Sequence, residues 1–189
     1  MNTFLQQYIL KQFDGNHEGL QVVIPKFKPF NVKRNKHLLV QGQVCQNIYF
    51  VAEGCLQSYI YDSNMQENTK EIITEGNFYC DLRSFNKNLP AIENIRTVEP
   101  SQLYQLSKRD FQELMETVPQ FSKVYQKLLE AYYNNAGYRV NTFITLSALD
   151  RIKWLMQHRP SLLTRLPSKL IASYLGINKD VYSRLKAKL

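Results

Sequence analysis

Apolar and polar positions change their period several times along this chain. Near the N-terminus Leu5, Tyr8, Ile9 and Phe13 recur at helical spacing and predict a short amphipathic helix. From Val22 to about Leu106 the period shortens. Apolar runs such as HLLVQG, NIYFVAEG, LQSYIY and EIITEG are separated by Gly, Asn and Asp signals at about 8–12-residue intervals, the rhythm of strands in a sandwich or barrel. YDSNMQENT, polar between alternating segments, predicts a hairpin loop. SKRDFQELMETVP returns to the helical period. Ser107 and Asp110 have capping-box spacing, Phe111, Leu114, Met115 and Val118 share a face, and Pro119 stops the helix.

A long helix is predicted from about residue 120 to 146, with no internal proline. Phe121, Val124, Leu128, Ala131, Asn135, Tyr138 and Thr142 alternate steps of three and four, the spacing of a coiled-coil seam. Tyr125, Leu129, Tyr132, Ala136, Val140 and Phe143 form a second stripe beside it. Two stripes predict two partners, the chain's own β domain and the same helix of a second subunit. The alternative is one wide face buried within a monomer. Asn135 would favour a fixed register, and Gly137 would permit close helix approach at a cost of about 1 kcal/mol.

Ser147 and Asp150 open a further helix carrying Ile152, Leu155 and Met156, which ends near Pro160. Ser168 is expected to cap a helix bearing Leu170, Ile171, Tyr174 and Leu175. Gly176 then supplies a turn, and Asn178 caps a last helix from Lys179 to Lys188. Two helices joined by a glycine turn set the second at a steep angle, so that its outer face can enter a major groove. The DNA-binding face would hold Asn178, Lys179, Asp180, Ser183, Arg184 and Lys186, with Val181 and Leu185 turned inward. Lys169 and Ser173 on the first helix would meet phosphates. The plainer alternative is a basic terminal helix packed on the body.

Charge separates these readings. From Tyr138 to Leu189 there are ten Lys/Arg and two acidic residues, whereas residues 1–137 hold fourteen of each. A neutral body with a basic terminal quarter predicts a polyanionic partner, double-stranded DNA. No apolar run approaches the roughly 18 residues of a membrane helix, and the N-terminus lacks signal-peptide features. Cys45, Cys55 and Cys80 are an odd set without a C-x-x-C pair, which speaks against a disulfide framework or structural zinc and for a cytoplasmic location. His17, His37 and His158 are scattered, so no metal site is expected. No phosphate loop, nucleophile elbow or H-E-x-x-H pair occurs, so the chain does not read as an enzyme.

IASYLGINKDVYSRLKAKL, LLVQGQ, IYFVAEGCLQSYIY and EGNFYCDLRSF together resemble the Crp–Fnr superfamily of transcription regulators, in the family's order and over nearly the whole chain. The resemblance implies an α+β fold: a β-roll (double-stranded β-helix, jelly-roll) sensor domain over 1–118, a dimerisation helix over 119–146, and a helix-turn-helix DNA-binding domain over 147–189. It implies a homodimer with RNA polymerase as a further partner. It carries base reading over to Lys179, Asp180 and Arg184. No residues follow the recognition helix for the usual β-hairpin wing, so fewer phosphate contacts are expected. A second reading keeps the sensor but has it act through protein partners, with a degenerate DNA-binding domain.

The same resemblance places an effector pocket at Tyr79, Cys80, Asp81, Leu82, Arg83, Ser84, Pro90 and Ala91. Where the family has Gly-Glu this chain has Cys80-Asp81, and Pro90-Ala91 stands where its phosphate-clamping arginine is expected. The adenine-facing hydroxyls align with Ala136 and Gly137. An effector other than cyclic AMP, or none, is therefore expected, with Arg83 the one residue placed to substitute for the missing clamp. Cys80 could act as a redox-sensitive thiol, although a small buried apolar role is the commoner use.

Overall fold

The computed structural model describes residues 4–13 and 17–189, and these divide into two compact units. The first takes in the chain up to Ser58 and Ile72–Ala131; the second joins Tyr59–Glu71 to Tyr132–Leu189. The boundaries expected at 118/119 and 146/147 do not coincide with this division.

Among the described residues eight strands run β1 (Lys28–Val32), β2 (His37–Leu39), β3 (Asn47–Glu53), β4 (Leu56–Tyr61), β5 (Glu67–Ile73), β6 (Phe78–Tyr79), β7 (Asn94–Thr97) and β8 (Ser101–Ser107). They form two four-stranded sheets, ordered β1-β8-β3-β6 and β2-β7-β4-β5. Sequence-distant strands pair antiparallel, with Phe30 opposite Leu103 and Val51 also opposite Leu103, as a jelly roll requires. The α+β fold follows. Phe50, Leu56, Ile95, Leu103 and Leu106 are buried in its core. At the β3–β4 turn Gly54 has φ +100°, and any side chain there would overlap Ser101.

Strand structure begins at Lys28 rather than Val22. HEGLQVV forms a helix, so Val22 and Val23 end α2 (His17–Val23), which follows α1 (Phe4–Gln12). Leu5, Ile9 and Phe13 are buried as the opening periodicity predicts. A further helix, α3 (Leu82–Lys87), lies inside what reads as β sequence. Asp81 caps it by accepting the Ser84 amide at 2.9 Å. Ser107 caps α4 (Lys108–Thr117) in the expected way, and Phe111, Leu114 and Val118 are buried, with Met115 only half-buried.

The long helix α5 spans Phe121–Thr145. Its first turns carry Phe121, Val124 and Leu128 into the core of the first unit, against Phe27, Phe78 and Phe111. These residues are therefore not part of an intersubunit seam. A seam would expose them, and here the chain's own aromatic residues already remove them from water. Of the remaining expected seam positions, Ala131, Asn135 and Tyr138 are exposed and Thr142 is half-buried.

In the second unit Ser147 caps α6 (Ala148–His158), which buries Ile152 and Leu155 but leaves Met156 exposed. The connector forms a short helix, α7 (Ser161–Arg165). Pro167, not Ser168, is the N-cap of α8 (Ser168–Tyr174), because Pro167 holds extended backbone while Ser168 is already helical. Gly176 turns the chain at φ +63°. Its N–H bonds the Ser173 carbonyl at 3.0 Å, and the Ile177 N–H bonds the Ala172 carbonyl at 2.9 Å, closing the end of α8. Asn178 caps α9 (Lys179–Lys186) by accepting the Asp180 amide at 2.8 Å. The inward residue of α9 is Tyr182, fully buried; Val181 and Leu185 are only half-buried. Among the described residues, no helix is long and apolar enough to cross a membrane.

Candidate nucleic-acid interface and effector region

The glycine turn and the two caps hold α8 and α9 as a helix pair whose shared interior is Ile171, Ala172, Leu175, Ile177 and Tyr182. With Tyr182 inside, the opposite side of α9 is left to water. Lys179, Asp180, Ser183, Arg184 and Lys186 are all exposed, as are Asn178 and Lys169. Asn178 spends its side-chain oxygen on the cap. The Lys186 ammonium lies 5.9 Å from the Tyr182 ring, its stem covering apolar surface. Three cations and one carboxylate thus share the face of a short rigid helix. Such a face can donate to guanine and to phosphate oxygens.

Ser173 is placed differently. Its hydroxyl accepts the Thr69 amide at 2.8 Å and donates to the Glu67 carbonyl at 3.2 Å, both on β5 within the same unit. Arg139 donates to the Thr69 carbonyl at 2.8 Å while its guanidinium lies 4.4 Å from the Tyr174 ring and 4.9 Å from that of Phe143. Arg159 pairs with Glu71 at 3.6 Å and donates to the Tyr174 hydroxyl at 3.2 Å. A phosphate contact by Ser173 has to replace two hydrogen bonds already made. Sequence reasoning missed this tie, because no local pattern links residues 67–71 to residues 139–173.

The residues marked as an effector pocket do gather around α3, in the first unit. Tyr79, Cys80, Asp81, Leu82, Ser84 and Ala91 are buried; Arg83 and Pro90 are exposed. Asp81 has both carboxylate oxygens engaged by backbone, the Ser84 amide at 2.9 Å and the Ile92 amide at 3.2 Å. Its role here is to fix the loop. The Arg83 guanidinium turns outward to the Pro90 carbonyl at 3.4 Å. Glu93, fully buried, was not singled out from sequence. Its carboxylate receives the Ser58 hydroxyl at 2.7 Å and the Tyr79 hydroxyl at 3.3 Å. An acidic residue two places before a strand-like IRT gives no sequence signal of burial. Next to it, Asn94 accepts the Gln41 amide at 3.0 Å, and its buried side-chain nitrogen has no partner. Asp81 and Glu93 thus bury two carboxylates here, whereas Arg83 is exposed. Among the described residues no group of His, Cys, Asp and Glu is arranged to hold a metal.

Residues 29–118 match the family model of the cyclic nucleotide-binding domain. No curated protein matches the sequence. Among solved structures the chain is similar to the c-di-GMP-responsive global regulator CLP of Xanthomonas campestris (TM-score 0.72, 14% identity, covering 92% of this chain and 91% of that one). It is also similar to FixK2 of Bradyrhizobium japonicum (0.75, 12%, 86% and 84%). A regulator of the Crp/Fnr family from Eubacterium rectale superposes with TM-score 0.75 at 14% identity over 96% and 87% of the two chains.

Proposed function

We propose, for a chain that carries a cyclic nucleotide-binding domain and has the Crp–Fnr fold, that it is a transcription regulator reading double-stranded DNA through α9. The observation that carries this reading is the exposed face of Lys179, Ser183, Arg184 and Lys186 on a capped helix whose opposite side buries Tyr182. Lys179 and Arg184 read base edges and Lys169 anchors a phosphate. The test is selection of bound duplexes from a random pool, followed by salt titration. Arg184→Ala should relax preference at about one base pair and cost about 1–3 kcal/mol. Lys169→Ala should weaken all duplexes alike and lower the salt slope by about one. Equal, sequence-independent losses from both would reduce α9 to a nonspecific basic helix.

The regulator works as a two-fold dimer joined along the exposed stripe of α5, which brings two α9 helices to half-sites about 34 Å apart. Leu129, Tyr133, Val140 and Ile144 follow one another at helical spacing with 38%, 77%, 56% and 76% exposure, a degree that aliphatic and aromatic side chains on a lone helix do not favour. Gly137 lies on the same stripe with open space around it.

Cyclic AMP is not the effector. Its phosphate would enter a region that holds the Asp81 and Glu93 carboxylates and turns Arg83 to solvent. The missing charged hydrogen bond alone forfeits roughly 1.5–3 kcal/mol. Calorimetry at low salt should show no heat at millimolar cyclic AMP; micromolar binding abolished by Arg83→Ala would overturn this.

A further inference from the structure

The segment Tyr59–Glu71, most of the β4–β5 hairpin, belongs to the second unit together with the helices from Tyr132 onward. Asp62 preorganises its tip. It accepts the Asn64 amide at 2.8 Å, the Gln66 amide at 3.0 Å and the Asn68 side-chain amide at 3.1 Å. Past the tip, β5 is the outer strand of its sheet. An outer strand leaves a row of N–H and C=O groups without a neighbouring strand. Here side chains from the helices take that place. Ser173 of α8 accepts the Thr69 amide and donates to the Glu67 carbonyl, and Arg139 of α5 donates to the Thr69 carbonyl at 2.8 Å. Beyond them Lys70 donates to the Tyr132 hydroxyl at 3.3 Å, and Glu71 pairs with Arg159 at 3.6 Å.

We propose that this arm is an autoinhibitory latch, which occupies the phosphate-facing side of α8 and must leave before a duplex seats there. The proposal rests on the DNA reading above. Lys169 and Ser173 stand four residues apart on α8, so they share one side of the helix. Lys169 is exposed, whereas Ser173 is covered by the backbone of Glu67 and Thr69. A phosphate strand passing over both positions therefore runs into the arm. Charge adds to this overlap. Residues 59–71 hold three acidic residues and one lysine, whereas residues 132–189 hold ten Lys/Arg and two acidic residues. The arm has the sign of the duplex and competes with it for the same basic helices.

These ties are of a kind that release. Residues 61–68 are all exposed, so the tip uncovers little surface on leaving. The bonds to Ser173 and Arg139 and the ion pair to Arg159 are each replaced by water or phosphate at small net cost. When the arm leaves, the Ser173 hydroxyl turns from backbone to phosphate oxygens.

The test uses the full chain, a random-sequence duplex at low salt, and changes confined to the arm. Thr69→Pro deletes the amide that Ser173 holds without changing the charge, at an outer strand where proline is tolerated. It should bind the duplex roughly five- to tenfold more tightly. Glu71→Gln should bind it about threefold more tightly, whereas Glu116→Gln, an equal charge change in the first unit, should leave binding unchanged. In the parent, adding the duplex should speed amide hydrogen exchange across residues 67–71, read by peptide mass. Unchanged or slowed exchange there would make the arm a fixed strut and overturn the proposal. So would equal or weaker binding by Glu71→Gln, a result that stands even if Thr69→Pro does not fold. Equal gains from Glu71→Gln and Glu116→Gln would assign the effect to net charge and overturn it too. If parent and variants all bind no duplex, the DNA reading fails and takes the latch with it. Failure of the latch alone looks different, since all of them then bind the duplex alike.

Discussion

The two halves of α5 use the same kind of residues for opposite purposes. In the first turns Phe121, Val124 and Leu128 are buried against the chain's own aromatic core. In the later turns Tyr133, Val140 and Ile144 stand more than half exposed, with nothing of their own chain to cover them. A periodic apolar stripe therefore says that a helix has a partner without saying which. The intrachain cover ends partway along, and the exposed stripe lies on a different line from the heptad seam that the sequence suggests.

The sharpest way to break this comparison is to put the same charge in each half. Leu128→Asp should destabilise the first unit by about 4 kcal/mol or more, since it removes a buried side chain and buries an unpaired carboxylate. Urea unfolding measures it. If Leu128→Asp left stability intact and yielded folded monomers, the seam would lie where the heptads place it. The double change Val140→Asp with Ile144→Asp should leave urea unfolding of the first unit near that of the parent. It should weaken self-association by roughly 3 kcal/mol, about a hundredfold, as seen by sedimentation. A protein already monomeric at micromolar concentration would remove the second half of the contrast.

A buried group of the first unit extends the contrast to pH. Burial pushes the Tyr49 phenol up to about 12 from its ordinary 10.0. The folded state keeps this proton while the unfolded chain releases it. The contribution of Tyr49 is thus full below about pH 10 and is lost as pH rises to about 12. Tyr49→Phe should remove a fall of roughly 2–3 kcal/mol over that window in alkaline unfolding, while costing about 1 kcal/mol at neutral pH for the lost bond to the Leu38 carbonyl. An unchanged alkaline limb would show that the hydroxyl is hydrated.

The smallest effect belongs to the C-terminal unit. Tyr182 is buried, its hydroxyl has no hydrogen-bond partner, and burial raises its pKa. Tyr182→Phe removes an unsatisfied polar atom without emptying the site, so thermal unfolding should be unchanged or up to about 1 kcal/mol more stable. DNA binding should be retained, because Tyr182 faces away from the basic side of α9. A loss of more than 1 kcal/mol would reveal a partner for the hydroxyl.

By itself the sequence determined what depends on neighbours along the chain. The caps at Ser107, Ser147 and Asn178, the turn at Gly176 and the outward basic residues of α9 were all legible, because a cap or a turn is made within a few residues. Strand rhythm disclosed a β sandwich or barrel for the same reason, and the resemblance to the Crp–Fnr superfamily implied the β-roll. What joins distant segments was decided only by the tertiary structure. The buried Glu93 and the hairpin tie on Ser173 each require two stretches dozens of residues apart to meet. The loss of intrachain cover along α5 belongs with them. Hydrophobic spacing records which side of a helix avoids water, whereas the atoms that cover that side come from elsewhere in the chain or from another copy of it.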